Sequence, residues 1–468
     1  MTTFLVAFAV AFNYFIGIYY GIVNLIYTAF LATALGAILR HVERIKYSAA
    51  GDLRMSPETP PISVLIPAYN EQVTINAAVK SALSMNYPFF DVIIINDGST
   101  DGTLKELIDV YDLMKIDLVY RDVIKTKAVR GFYYNPQVPN LMVIDKERGG
   151  KADALNSGVN MCQSPYFCSV DADSVLERDA LLRLISPVLE STVPVIACGG
   201  VVRTLNGATI KDGVIERIGL PKSVLAMFQI VEYLRAFLFG RVGLDSVNAI
   251  LILSGAFSLF NKASVIEVGG YSLNNVTEDM ELIVRLHRHN AKNRRQYRIR
   301  FISDPICWTE VPETFKMLGR QRRRWHLGLL QSILQHKSLV FNPAYGRLGM
   351  FVMPYYLFVE VLSPVVEVIG YLVVVLSYLI GIISVEFFLL FLTLAIFYGT
   401  LLSTAGVFLE ELTYRRYPEW SHMFKLLLFG FLENFGYRQL NSIWRVQAIF
   451  KYVVGQREWE YVRRRRES

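Results

Sequence analysis

Two carboxylates separated by one residue, Asp171-Ala172-Asp173, follow an apolar run at 166–170. At the end of a strand such a pair can hold a hard divalent cation, Mg²⁺ or Mn²⁺, which takes oxygen ligands together with substrate phosphates. A lone D-x-D is common by chance, so its neighbours decide its meaning. Pro67-Ala68-Tyr69-Asn70-Glu71 follows the apolar run 62–66, and Asn96-Asp97-Gly98-Ser99-Thr100-Asp101-Gly102 follows 92–95. Ligands of parallel sheets bind at the carboxyl ends of strands, where all three clusters fall. A tyrosine ring can stack on a base, and Glu71 or Asp97 can accept hydrogen bonds from a base N–H or a ribose hydroxyl. Each cluster alone reads equally as a plain turn before a helix, because Asp-Gly-Ser-Thr is ordinary turn chemistry. Two such turns on consecutive strands favour a ligand site.

Three further segments carry candidate groups. Gly149-Gly150-Lys151 precedes a helical stretch. Glycines there let backbone N–H groups approach phosphate, and Lys151 adds charge. It is no P-loop, since G-x-x-x-x-G-K-[ST] is absent. Thr277-Glu278-Asp279 could supply a general base near a reacting hydroxyl. Adjacent acids at a helix start also serve simply as dipole complements, and alone that reading wins. In Gln321-Arg322-Arg323-Arg324-Trp325, helical spacing puts Gln321, Arg324 and Trp325 on one face. Arginine suits bidentate phosphate contact and tryptophan suits the face of a sugar. The alternative is a basic-aromatic stripe at a membrane interface.

These groups need a scaffold. Apolar β-rich runs at 62–66, 92–95, 118–120, 141–144, 167–170 and 195–201 alternate with helical stretches at 72–85, 101–113, 150–161 and 178–190. The alternation predicts an α/β domain with a largely parallel sheet.

The flanks differ from this domain. The 468 residues are 53% hydrophobic, with a mean hydropathy of +0.34. Residues 4–39 and 348–409 are nearly free of charge, which predicts membrane, soluble domain, membrane. About 36 apolar residues at ~1.5 Å rise exceed a hydrocarbon core of roughly 30 Å, so residues 4–39 read as one crossing with an interfacial start. Without a basic leading region or a small-residue cleavage site, this run reads as a retained anchor. Arg40, Arg44 and Lys46 then mark a cytosolic end. Residues 50–60 read as a linker, and 313–336 as a helix either in the interface or packed on the soluble domain. Pro364 should kink the apolar span 348–383, and 385–409 forms the next. Glu360 and Glu367 lie in the first of these, where acids are costly in lipid and must face protein or a polar path, with Arg347 or Arg438 as partners. Arg415 and Arg416 mark a cytosolic side, and 423–450 reads as interfacial helices.

The net charge of +7 is concentrated at Arg320, Arg322, Arg323 and Arg324 and at residues 463–466. Beside apolar spans these runs fit membrane lipid headgroups and not nucleic acid. Cys162, Cys168, Cys198 and Cys307 show no metal or redox spacing and read as core residues in a reducing compartment.

Taken together and in this order, the motifs resemble the family 2 glycosyltransferases. More closely they resemble the membrane-embedded, processive branch that includes cellulose, hyaluronan and poly-N-acetylglucosamine synthases. The similarity covers about residues 60–330 and rests on the joint pattern of Asp97, Asp171-x-Asp173, Thr277-Glu278-Asp279 and Q-x-x-R-W at 321–325. It implies a GT-A fold and inverting, metal-dependent transfer from a UDP-sugar to a growing glycan. Pro67, Tyr69, Glu71 and Asp97 would bind the uridine end, with Lys151 near the donor. Asp171 and Asp173 would serve donor and metal, and Asp279 would be the base. Gln321 and Arg324 would hold the diphosphate. Ser254, Gly255, Glu278 and Trp325 would line the acceptor site. The expected layout is an anchor over 1–45, the GT-A domain over 46–312, an interfacial region over 313–345, membrane helices over 346–410 and interfacial helices with a basic tail over 411–468. The expected location is the plasma membrane, multi-pass, with the catalytic domain cytosolic and a partner subunit or oligomer for export. The membrane part looks smaller than in the cellulose synthases. The second reading is a transferase that adds one sugar to a lipid. A transporter with a nucleotide sensor has no need of a base at Asp279. A Rossmann oxidoreductase lacks its G-x-G-x-x-G.

Overall fold

The computed structural model describes residues 2–47, 59–211, 213–414, 416–417 and 419–456. Most of the expected linker, Arg415, the basic run 463–466, and the side chains of Arg44 and Lys46 lie outside the described residues.

Along the soluble part the strands are β1 (Ile62–Ala68), β2 (Phe90–Asp97), β3 (Met114–Ile116), β4 (Val129–Tyr134), β5 (Leu141–Lys146), β6 (Tyr166–Val170), β7 (Ser174–Leu176), β8 (Val195–Thr204), β9 (Thr209–Lys211), β10 (Val214–Arg217), β11 (Phe257–Asn261) and β12 (Arg298–Thr309). Ten of them form one sheet in the order β3-β4-β5-β2-β1-β6-β11-β8-β12-β7, and β9 and β10 form a separate hairpin. The central strands β5, β2, β1 and β6 run parallel. Ile62, Val64, Leu65, Ile66, Val92, Ile94 and Ile95 are completely buried, as expected of strands covered by helices on both faces. The helices Ile75–Leu83, Thr103–Tyr111, Lys151–Met161 and Ala180–Glu190 fall where periodicity predicts them, with trimmed ends.

Two expectations need correction. Residues 118–120 are not a strand; the short β3 lies just before them. The sheet is mixed, because β11 runs antiparallel to both β6 and β8, and the β3-β4-β5 edge and the β12–β7 pair are antiparallel too. An antiparallel insertion follows from long-range pairing and leaves no local periodic signal.

The N-terminal run is a single helix, Thr2–Tyr47. Two helices, Val6–Arg40 and Val385–Thr413, are long and apolar enough to cross a membrane, and a bent pair, Leu348–Val361 and Ser363–Leu379, adds a third candidate. The pair bends by 42°. Pro364 sits in the first turn of the second member, where its missing N–H costs nothing. Glu367 pairs with Arg438 at 3.4 Å and accepts from Ser442 Oγ at 2.6 Å. Glu360 pairs with Arg445 at 3.7 Å, not with Arg347. A buried ion pair between Arg203 of β8 and Glu410 ties the sheet to the Val385–Thr413 helix.

The Phe315–Gln335 helix packs between the soluble domain and the Tyr437–Val453 helix. Gly328 makes the first contact possible: a Cβ there would lie 2.1 Å from Thr277 Oγ1.

Candidate active site

The first two turn clusters form one cross-linked unit above β1 and β2. Thr100 N donates to Asn70 Oδ1 (2.8 Å), Asn70 N to Ser99 Oγ (3.1 Å) and Glu71 N to Thr103 Oγ1 (2.9 Å). The Tyr69 ring is half-buried, and the Arg148 guanidinium lies 4.0 Å from its centroid.

Asp97, the last residue of β2, is buried. Its Oδ1 accepts from Lys146 Nζ (3.0 Å) and Gly149 N (2.8 Å), and its Oδ2 accepts from Gly150 N (2.7 Å). Lys146, completely buried at the end of β5, also pairs with Asp153 at 2.5 Å. Asp97 therefore fixes the Gly149-Gly150 turn from beneath and holds Lys151 at a helix start. Pro67, Tyr69, Glu71 and Asp97 are not among the residues that line the cavity described next, though Asp97 holds Gly149 and Gly150, which do.

A cavity of ≈ 670 Å³ gathers the remaining candidates: Lys151, Asp171, Asp173, Ser254, Gly255, Glu278, Asp279, Gln321, Arg324 and Trp325. They come from segments far apart in the chain. Asp171 and Asp173 follow β6, and Ser254 and Gly255 precede β11. Glu278 and Asp279 open the Glu278–Lys292 helix, and Trp325 lies on the Phe315–Gln335 helix. Because β11 pairs with β6, Asp171 N donates to Ala256 O at 3.2 Å, which brings two of these segments edge to edge. Lys151 Nζ lies 2.6 Å from Asp171 and 3.5 Å from Glu278. Burial would lower the Lys151 pKa, but Asp171, Glu278 and Asp279 outweigh burial and hold it raised. Burial raises the Glu278 carboxyl, and Lys151 opposes that shift. Asp279 Oδ1 accepts from Met280 N at 2.8 Å, which leaves Oδ2 beside Gly255.

Lys151 and Arg324 bring cations to the cavity lining, and Asp279 brings a carboxylate. Among the described residues no three His, Cys, Asp or Glu side chains gather in a metal-binding group. Asp171 and Asp173 supply two carboxylates, which fits Mg²⁺ or Mn²⁺ completed by substrate phosphate oxygens and not an all-protein cage.

Sequence reading missed several lining residues, notably Glu232, Tyr233, Arg241, His326, Asn441 and Arg445. Arg322 donates to Glu232 (2.8 Å) and Tyr437 OH donates to the same carboxylate (2.7 Å), which locks the Q-x-x-R-W helix in place. A usable signal existed for Arg241, a cation inside the apolar run Phe237-Leu238-Phe239-Gly240-Arg241-Val242.

A profile described as glycosyl transferase family 2 matches residues 63–215, and one described as glycosyl transferase family group 2 matches residues 166–404. The chain is 30% identical over 269 residues to a poly-beta-1,6-N-acetyl-D-glucosamine synthase of Staphylococcus aureus (strain COL), covering 57% of this chain and 54% of the relative. It is 28% identical over 270 residues to the synthase of that name from Staphylococcus epidermidis, covering 57% and 54%. The chain thus spans about half the length of the curated relatives it matches. Among solved structures, the mannosyltransferase PcManGT from Pyrobaculum calidifontis, in complex with GDP-Man and Mn2+, aligns at a TM-score of 0.49 and 17% identity, over 89% of this chain and 99% of that one. With half of its length matched by the second profile, the chain belongs to the family 2 glycosyltransferases.

Proposed function

We propose that this protein transfers a sugar, with inversion, from a UDP-sugar to the end of a growing polysaccharide, and that it does so repeatedly while the product leaves across the membrane. The observation that carries this reading is the convergence of Lys151, Asp171, Asp173, Asp279, Gln321, Arg324 and Trp325 on one cavity beside membrane-type helices. Similarity to synthases named for poly-beta-1,6-N-acetyl-D-glucosamine supports UDP-N-acetylglucosamine as the first donor to try.

In this mechanism Asp279 takes the proton of an acceptor hydroxyl as its oxygen bonds to the anomeric carbon. The carbon–phosphate oxygen bond breaks from the opposite face and UDP departs with the electron pair. Asp279 then returns its proton to water. Lys151, Gln321 and Arg324 hold the diphosphate, and the positive charge of Lys151 and Arg324 favours its departure. A divalent cation on Asp173 and Asp171 would supply further neutralisation of that charge. Tyr69 and Glu71 form the uridine end, and Asp97 acts there through the Gly149-Gly150 turn. The proposed orientation is multi-pass with a cytosolic catalytic domain, supported by Arg40 at the end of the Val6–Arg40 helix.

The test is incubation of purified protein in lipid nanodiscs with Mn²⁺ or Mg²⁺ and a panel of UDP-sugars, reading UDP release and product length. The expected result is metal-dependent release with a polymeric product from one donor. Full activity in excess chelator, or in Asp173→Ala, refutes the metal site. A product of a single sugar on lipid refutes repeated transfer.

A further inference from the structure

Part of the cavity lining near Asp279 comes from residues that none of the sequence motifs supplies. Arg241, the last residue of the π-helical stretch Arg235–Arg241, belongs to this part. Its guanidinium lies 4.1 Å from the Phe237 ring centroid and 5.8 Å from that of Phe301. Nη1 is buried and makes no hydrogen bond, and Asp279 and Glu360 act on the guanidinium only through their charge. Burial lowers its pKa to about 10, so it stays charged at neutral pH. A buried donor without an acceptor costs about 1–3 kcal/mol, and more when charged, so such a group calls for a partner.

The bent membrane-type pair and the Tyr437–Val453 helix add Glu360 and Arg445 to the same lining. Glu360 sits in a second π-helical stretch, Tyr356–Val361, and accepts from Tyr355 OH at 3.0 Å. Arg445 on the Tyr437–Val453 helix reaches it, donating to Glu360 O at 2.6 Å and to His326 Nδ1 at 3.2 Å. Arg241 and Glu360 thus both sit on π-helical turns, a distortion that recurs at functional sites. Asp279 and Glu360, whose charge acts on Arg241, and the guanidinium groups of Arg241 and Arg445 all belong to this lining. An anionic guest would face those two carboxylates and a cationic guest the two guanidinium groups. An uncharged, hydroxyl-rich ring satisfies the Arg241 donors and meets neither repulsion.

We propose that Arg241 is a specificity-determining residue that hydrogen-bonds the sugar receiving the transfer, and that this part of the cavity, lined also by Glu360 and Arg445, selects an uncharged sugar unit over a charged one. The inference rests on the glycosyltransferase reading above.

The probes are three trimers, of N-acetylglucosamine (neutral), glucosamine (cationic) and a hexuronic acid (anionic), offered as acceptors or competitors to the full chain in nanodiscs. The wild type should prefer the neutral trimer. Arg241→Gln should raise its KM or inhibition constant about tenfold to a hundredfold, the loss expected of a charged hydrogen bond. UDP-sugar affinity by calorimetry should stay unchanged. Arg241→Lys keeps the charge but loses the planar fork and should fall between. Equal use of charged and neutral trimers overturns the inference, as does a rise in donor KM in place of acceptor KM. If Arg241→Gln fails to fold, an unaltered trimer constant in Arg241→Lys overturns it. Absence of UDP release from every UDP-sugar by the wild type instead refutes the transferase reading and this inference with it.

Discussion

Gly255→Ala is a small change with a calculable consequence. A Cβ built at Gly255 lies 2.8 Å from Asp279 Oδ2 and 3.1 Å from Lys151 Nζ, whereas ordinary contact begins at 3.4 Å. The methyl group must therefore displace the Asp279 carboxylate by about 0.6 Å, the gap between 3.4 and 2.8 Å, and misplacements near 1 Å can cost about a hundredfold in rate. Asp279 Oδ1 is tethered to Met280 N at 2.8 Å, so the carboxylate tilts about that bond and turns Oδ2 away from Gly255. We expect kcat to fall about tenfold to a hundredfold, roughly 1.4–2.7 kcal/mol in barrier. Folding should suffer little, less than about 1 kcal/mol, because the crowded atoms end flexible side chains and not backbone. The assay is UDP release under saturating donor, beside UDP calorimetry and a thermal unfolding midpoint in detergent. A wild-type kcat refutes the claim that the Asp279 carboxylate must sit where it does. So does a loss confined to UDP affinity.

Asp279→Asn keeps the shape but takes no proton; turnover should drop about 10²–10⁴-fold with UDP-sugar affinity near wild type, and retained turnover removes Asp279 from the mechanism. Glu360 and Glu367 should behave differently. Glu367→Leu strands Arg438 and should lower stability by up to about 3 kcal/mol, read as the unfolding midpoint. Glu360→Leu removes a lining residue near the acceptor and should both slow UDP release and shorten the polymer on a gel, and a wild-type rate with a full-length product would disconnect Glu360 from the glycan. Acid should loosen the Glu278–Lys292 helix. Burial would raise the Glu281 pKa, but hydrogen bonds from His336 and Arg285 outweigh it and hold it lowered. A lowered folded pKa contributes stability above the unfolded value, lost as pH falls through the folded value. Glu281→Gln should therefore lessen the fall of the midpoint as pH drops below the free-glutamate value, and an unchanged slope there contradicts the pairing.

The strand-end clusters were legible because their signal is local. An apolar β-rich run followed by Asp-Gly-Ser-Thr or Asp-Ala-Asp puts polar groups at a sheet rim whatever the rest of the chain does. The apolar flanks were legible for a similar reason, since length and hydropathy suffice to identify them. Strand β11 was not, because its pairing with β6 and β8 joins residues far apart in the chain. Charge partners were equally hidden. The sequence offered Arg347 or Arg438 as partners for Glu360 and Glu367 without assigning them; the fold pairs Glu367 with Arg438 and supplies Arg445 for Glu360. Nor does a single Asp-Gly turn disclose that Asp97 is enclosed by Lys146 and two backbone N–H groups. The sequence by itself determined which residue types stand at which strand ends and which segments prefer lipid, since both are sums over neighbours. Only the tertiary structure decided which charges meet. An ion pair or a cavity wall depends on distances of a few ångströms between segments up to hundreds of residues apart, and those distances are set by the packing of the whole sheet against its helices.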